Sequence, residues 1–255
     1  MESLGYWPNG PQQVRYWTAY RFVFGSPKAW TNLLLGGVCM LIPVAGPMVL
    51  VGYLIGVLAF TLPDERSGYP DFDFGRFVEY LTAGIWPFLV SLIATVAVII
   101  PIYLVFGIGV FTVIAAKPTG PLLGVLIALG VVLFVVAWIG MLLVIEPVLI
   151  RAALLREFNG VFDFPWIKDF LRRTWRESLL SMLFLLSTSI PLVIVGYALC
   201  LVGIYPALAL ATFARWHLTF QVYRIYLARG GTPVPTKPLA PPSPRPFAGP
   251  PPLPG

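Results

Sequence analysis

Four stretches of this sequence, Ala29–Pro63, Tyr80–Ala116, Pro118–Ile145 and Ser178–Ala214, contain no Asp, Glu, Lys, Arg or His. Each is longer than the ~20 residues a helix needs to cross a ~30 Å hydrocarbon core. A bilayer offers the backbone no hydrogen-bond partners, so such stretches are stable there only as helices that satisfy their own peptide groups. The pattern predicts an all-α, polytopic transmembrane helical bundle. Composition agrees: of 255 residues, 58% are hydrophobic and 11% charged, whereas a soluble domain is about a quarter charged. An ordinary globular domain, a disordered chain and a disulfide scaffold are excluded. The first 28 residues lack the apolar core and cleavage site of a signal peptide, so insertion is expected to rely on the first long apolar run.

Counting basic residues chooses between topologies. If each charge-free run crosses once, with the N-terminus inside, Lys and Arg divide nine inside to eight outside. Folding 29–63 and 178–227 into hairpins, with the other two runs paired across Lys117–Gly120, divides them sixteen to one. The positive-inside bias prefers the second arrangement. It has about six apolar helical segments in hairpins and puts both termini on the cytoplasmic side of the cell inner membrane. The 35 residues of 29–63 are short for two crossings. Proline lacks an amide proton and clashes with the preceding turn, so Pro43 and Pro47 mark a break and the run reads as a short, shallow or re-entrant hairpin. A single tilted span, which divides the charges thirteen to four, is the alternative.

Phe72-Asp-Phe74 recurs as Phe162-Asp-Phe164 at an offset of 90, and Leu81, Leu89, Ser91 and Pro101 match Leu171, Leu179, Ser181 and Pro191 in the same register. An internal repeat of 72–157 and 162–228 is expected. Asp73 and Asp163 stand at helix-cap positions, with Pro165 fitting a first turn. Phe74, Phe77, Val78 and Leu81, and again Ile167, Phe170, Leu171 and Thr174, have helical apolar spacing, which predicts interfacial amphipathic helices. Tyr16, Ala19, Tyr20 and Val23 form a similar stripe, so 1–28 reads as an N-terminal interfacial segment and a degenerate third copy.

Pro27-Lys-Ala-Trp30, Leu35-Gly-Gly37, Leu41-Ile-Pro43, Gly46, Gly52-Tyr53 and Pro70-Asp-Phe-Asp-Phe74 resemble an uncharacterised prokaryotic membrane family, domain of unknown function 4013. Phe213-Ala-Arg-Trp-His-Leu218 and Gln221-Val-Tyr-Arg224 resemble its last helix. The resemblance covers about residues 12–229. It implies a polytopic membrane protein, and it carries over no activity and no catalytic residue.

Candidate chemistry is sparse. Glu146 is an acid beside the apolar part of a span, which by default marks a functional position; pairing with Arg151 or Arg215 is the structural alternative. His217 shares a face with Gln221 and Arg224, opposite Trp216, Phe220, Tyr223 and Leu227, an aromatic face that fits an interfacial belt. Glu146, Arg215 and His217 together make a candidate intramembrane polar site. Arg151, Arg156, Lys168, Arg172, Arg173 and Arg176 form the densest basic cluster and are candidates for docking anionic headgroups or a partner protein. Cys39 and Cys200 read as small buried hydrophobes. No triad, metal-ligand spacing or phosphate loop is found, so neither enzyme activity nor a cofactor is expected.

The +6 charge points to anionic lipid rather than nucleic acid, because the basic residues flank apolar runs. The domain expected over 29–229 is followed by a proline-rich tail, 230–255, expected to be disordered. The sequence thus predicts a non-enzymatic membrane component that organises lipid or a partner complex. The alternative is a permease-like protein for a lipid-like or hydrophobic solute, favoured by the repeat.

Overall fold

A computed structural model describes residues 13–61, 69–116, 121–199 and 202–235, and among them there is no strand. The helices are α1 (Thr18–Val23), α2 (Ala29–Leu41), α3 (Ala45–Thr61), α4 (Phe77–Ala116, entered through a 3-10 turn at Phe74–Arg76), α5 (Pro121–Leu155), α6 (Phe164–Ala198) and α7 (Ile204–Ala228). Three hairpins, α2/α3, α4/α5 and α6/α7, are joined where α3 packs on α4, α2 on α7 and α5 on α6. Phe74–Ala116, Pro121–Leu155 and Phe164–Ala198 are long and apolar enough to cross a membrane; α2 and α3 are apolar but shorter. Among the described residues three helices are thus both long and apolar enough to span, and α7, at 25 residues, is long but less apolar.

The break at Pro43 is where it was expected. The chain bends at 42–44, with Val44 in the left-handed region (φ 65°), and 29–61 folds as two helices instead of one tilted span. Four other prolines do not break their helices: Pro87 and Pro101 lie inside α4, Pro147 inside α5 and Pro191 inside α6. In apolar surroundings no water competes for the freed carbonyl, so the helix resumes beyond the ring.

Both Phe-Asp-Phe motifs begin helices as their spacing predicts. Asp73 accepts a hydrogen bond from the Gly75 amide at 2.8 Å, and Asp163 accepts one from the Trp166 amide at 3.2 Å. Separate interfacial helices do not follow. Each amphipathic segment is the opening of one continuous long helix, α4 or α6. In α6 the apolar face (Trp166, Ile167, Phe170, Thr174) is buried by protein, with Trp166 and Phe170 packed on Tyr226 of α7. In α4 the buried face is Tyr80, Ala83 and Val90, while Phe74 and Val78 are exposed. The packing of α3 on α4 decides that orientation. A Cβ on Gly52 would lie 1.8 Å from the Tyr80 carbonyl oxygen, and one on Gly84 would lie 1.8 Å from that of Met48. Only glycine permits backbones to approach so closely.

The molecule has a well-packed base and an open end. Residues 145–155 of α5 are buried apart from the half-buried Glu146, as is most of α7 from Phe213 on. From Leu92 to Val144, in contrast, α4 and α5 touch each other along one seam that includes Phe106, Phe134 and Trp138, and most other described positions are exposed. The aromatic face Trp216, Phe220, Tyr223 and Leu227 is core, not an interfacial belt. Among the described residues near the N-terminus, Trp17, Phe24 and Trp30 are exposed rings.

The expected tail boundary also moves. Residues 230–235 pack on the base: Val234 is buried and its amide donates to the Tyr223 hydroxyl at 2.9 Å. The Thr232 carbonyl accepts from the Trp166 indole at 2.8 Å. Residues 236–255 of the proposed tail, and Cys200, lie outside the described residues.

Candidate functional site

The six-residue basic cluster separates into structural and exposed members. Arg151 is buried at the end of α5; its Nε donates to the Gly160 carbonyl at 2.8 Å, and its guanidinium pairs with Asp163 at 3.2 Å and lies over the Trp166 ring. It ties α5 to the α6 cap. Arg173 is held by Asp169 at 2.9 Å and donates to the Arg229 carbonyl, while Arg229 reaches Glu177. Arg156 follows α5 at φ 50° with its Nε buried and unpartnered, and burial lowers its pKa. Lys168, Arg172 and Arg176 remain exposed, four residues apart on one face of α6. The Arg176 guanidinium lies over the exposed Trp175 ring.

The expected polar trio also divides. His217 faces α1, packed on Phe22 with ring centres 4.6 Å apart and planes tilted by 32°, and bonded to Gln221 at 2.9 Å. Gln221 of α7 accepts from the Arg15 amide at 2.8 Å, and the Tyr20 hydroxyl bonds that of Thr188 of α6 at 2.7 Å, so α7 and α6 together anchor the N-terminal segment. Glu146 is half-buried between α5 and its neighbours, close to the buried Ser178 hydroxyl and within electrostatic reach of Arg215. Arg215 is surrounded by protein on most sides yet keeps an exposed face. Arg151 pairs with Asp163, leaving Arg215 as the cation that Glu146 feels. The hydroxyls of Ser178 and Ser181 are buried without a hydrogen-bond partner.

With this arrangement described, the sequence comparison can be placed. Residues 35–215 match the family described as "Protein of unknown function (DUF4013)". The chain belongs to this family. No curated protein and no solved structure matches it. The DUF4013 region ends at Arg215, so α1, most of the α7 base and residues 230–235 lie beyond the match.

Three features of this DUF4013 chain were missed in the sequence. Ser178 and Ser181 lie at the start of a charge-free run, three residues apart, a spacing that puts them on one helix face. Asn32, also buried, accepts from the Phe72 amide at 3.0 Å and faces Asp71, which pairs with Lys28 at 3.0 Å. That lysine, with Asn32 and Ser26, holds the Asp71 carboxyl below its ordinary range. The third is a groove of about 710 Å³ between α4 and α5, walled by apolar residues such as Phe106 and Phe134 and widened where Gly109 and Gly130 leave space. Among the described residues no His, Cys, Asp and Glu gather as a metal site.

Proposed function

We propose that this protein is a multi-pass component of the cytoplasmic membrane that organises lipid or a partner complex without catalysing a reaction. The observation that carries the reading is the α6 stripe of Lys168, Arg172 and Arg176, exposed beside Trp175 at the base of a helix whose distal half is apolar and largely open. A basic stripe beside an exposed tryptophan fits the boundary between headgroups and hydrocarbon. Each basic residue near an anionic surface contributes about 1 kcal/mol. In this reading the α2/α3 hairpin enters the bilayer without crossing it, and the base faces the cytoplasm.

The test is to purify the full chain in detergent, offer mixed lipids and weigh what remains bound. Phosphatidylglycerol should be enriched over phosphatidylcholine, and K168Q/R172Q/R176Q should abolish the enrichment. Equal retention of both lipids by the unaltered chain would remove the basis for the reading.

The α4/α5 groove favours a second reading, binding of a hydrophobic solute. A pocket of this size lined almost wholly by hydrocarbon suits an apolar ligand. A fluorescent fatty acid displaced by Gly109→Leu or Gly130→Leu would support it.

A further inference from the structure

The three hairpins are unequal in length, and the difference matters against a bilayer of fixed thickness. In α4 from Pro101 to Ala116 the half-buried residues are Ile102, Phe106 and Val113, and in α5 from Pro121 to Ala137 they are Leu126, Gly130 and Phe134; the others are exposed. All six line the groove between the two helices. Over this length, about 24 Å at 1.5 Å per residue, no third element of the described residues covers the pair.

The α2/α3 and α6/α7 hairpins are shallower. Their starting level is marked by Trp17, Arg21, Lys28 and Trp30, all exposed. Arg215 keeps an exposed face at the same level, next to Ala214, which packs on Ala19. Tryptophan and basic residues of that kind lie in the headgroup layer, and an exposed guanidinium in hydrocarbon is costly. From Lys28 to the bend at Ile42 is about 21 Å, and from Arg215 back to Ile204 about 17 Å, at 1.5 Å per residue. Neither reaches across a ~30 Å core. By its length α6 could cross, but its far end is tied to the start of α7: a Cβ on Gly196 would lie 2.8 Å from the Ile204 Cα. The two tips stand side by side, since a Cβ on Gly37 would lie 3.1 Å from the Pro206 nitrogen. Both are apolar and bare, with Leu41, Ile42 and Val44 exposed on one, and Leu199 and Val202 on the other. Tips of that composition suit hydrocarbon rather than water, whereas the α4/α5 connection has Lys117 and Thr119 in its sequence.

We propose that this protein is a wedge whose preferred partner is a curved bilayer, convex on the side of the base. The proposal rests on the membrane reading above. In the leaflet next to the base all three hairpins, α2 to α7, displace acyl chains; in the far leaflet only α4 and α5 do. Six helices of about 10 Å diameter against two crowd the near leaflet and leave the far one almost undisturbed. Bending that puts the near leaflet on the outside relieves the difference, as it does for other helices that enter a single leaflet. Acyl chains of the far leaflet cover the lone α4/α5 pair, which carries no charged side chain from Pro101 to Ala116 or from Pro121 to Ala137.

The experiment offers the detergent-solubilised full chain, at low density, a mixture of phosphatidylcholine vesicles of about 30 nm and about 200 nm diameter, which are then separated by size and assayed for protein per lipid. The α6 stripe meets no anionic lipid there, so loss of the anionic preference proposed above would leave this reading intact. Density should be several-fold higher in the small vesicles. With Cys39 and Cys200 replaced by Ala, Phe164→Cys should react with a membrane-impermeant maleimide in sealed small vesicles, Leu122→Cys only after they are opened, and Val202→Cys in neither state. Equal density in the two sizes, a result that needs no variant, would overturn the proposal. So would labelling of Val202→Cys from the Leu122 side, which would mean that α6/α7 crosses. Oxidative cross-linking of Gly109→Cys between copies would put a second chain, not acyl chains, against α4/α5 and would overturn it as well. A chain that fails to float with vesicles of either size would remove the membrane reading and the wedge with it.

Discussion

Arg151 and Arg172 are the same residue type in the same basic cluster, and their surroundings give them different work. The Arg151 side chain is 9% exposed and satisfies the Gly160 carbonyl and Asp163, so Arg151→Gln leaves a loop carbonyl and a cap carboxylate without their cation. We expect a loss of about 2–3 kcal/mol, the scale of hydrogen bonds to charged groups, against less than ~0.5 kcal/mol for the exposed Arg172→Gln. Thermal denaturation of both variants in detergent checks the contrast. Asp71 gives a pH prediction. Because Lys28, Asn32 and Ser26 lower its pKa in the folded state, its contribution is complete above the unfolded value of about 3.9 and disappears as pH falls through the lower folded value. With its side chain 42% exposed the effect is screened and modest. Asp71→Asn should be the less stable protein at pH 7, and the two melting curves should draw together as pH falls below about 3.9; a gap that stays constant in acid would assign the effect to packing.

The α3/α4 contact is the most demanding packing between elements. With a Cβ at Gly52 only 1.8 Å from a backbone oxygen, no side-chain rotation relieves the clash, and Gly52→Ala must part the helices. A loss of ~2–3 kcal/mol is expected, at the upper end for overpacking, measured as a fall in melting temperature or folded yield; Gly124→Ala, whose Cβ meets nothing within 4 Å, should change neither. The closing segment makes a second case. Truncation after Pro235 should leave melting unchanged, whereas truncation after Arg229 removes Val234 and the Thr232 carbonyl from Tyr223 and Trp166 and should lower it. How much of this was legible in the sequence depends on the range of the interaction. Asp73, Asp163 and the bend at Pro43 act within a few residues, and their roles could be read directly. The stripe Ile167, Phe170 and Thr174 announces a buried face but does not say whether lipid or α7 covers it, since both are apolar to a periodicity argument. Ser178, Ser181 and the partner of Arg151 depend on contacts between helices, which no local pattern encodes.

For the molecule as a whole, the hairpin arrangement makes a prediction about sides. A cysteine placed at the exposed Phe164, at the base, and one at the exposed Leu122, beside the α4/α5 turn, should label from opposite faces of the membrane in intact and permeabilised cells. Labelling of both from outside in intact cells would contradict a base on the cytoplasmic side. The single seam along which α4 meets α5 has a further consequence for what a mutational scan of this chain would record. Across 92–144 most positions ask only to be apolar: exchanges among Leu, Ile, Val and Phe should register as near silence, while Asp or Arg at mid-helix should cost ~2.5–3.5 kcal/mol each. At the base, positions such as Ile150, Phe170 and Tyr226, all fully enclosed, should accept almost nothing else. Variation is thus expected to accumulate in the hairpin and to stall at the base, so distant relatives would be recognisable by the ends of these helices long after their middles had lost all resemblance.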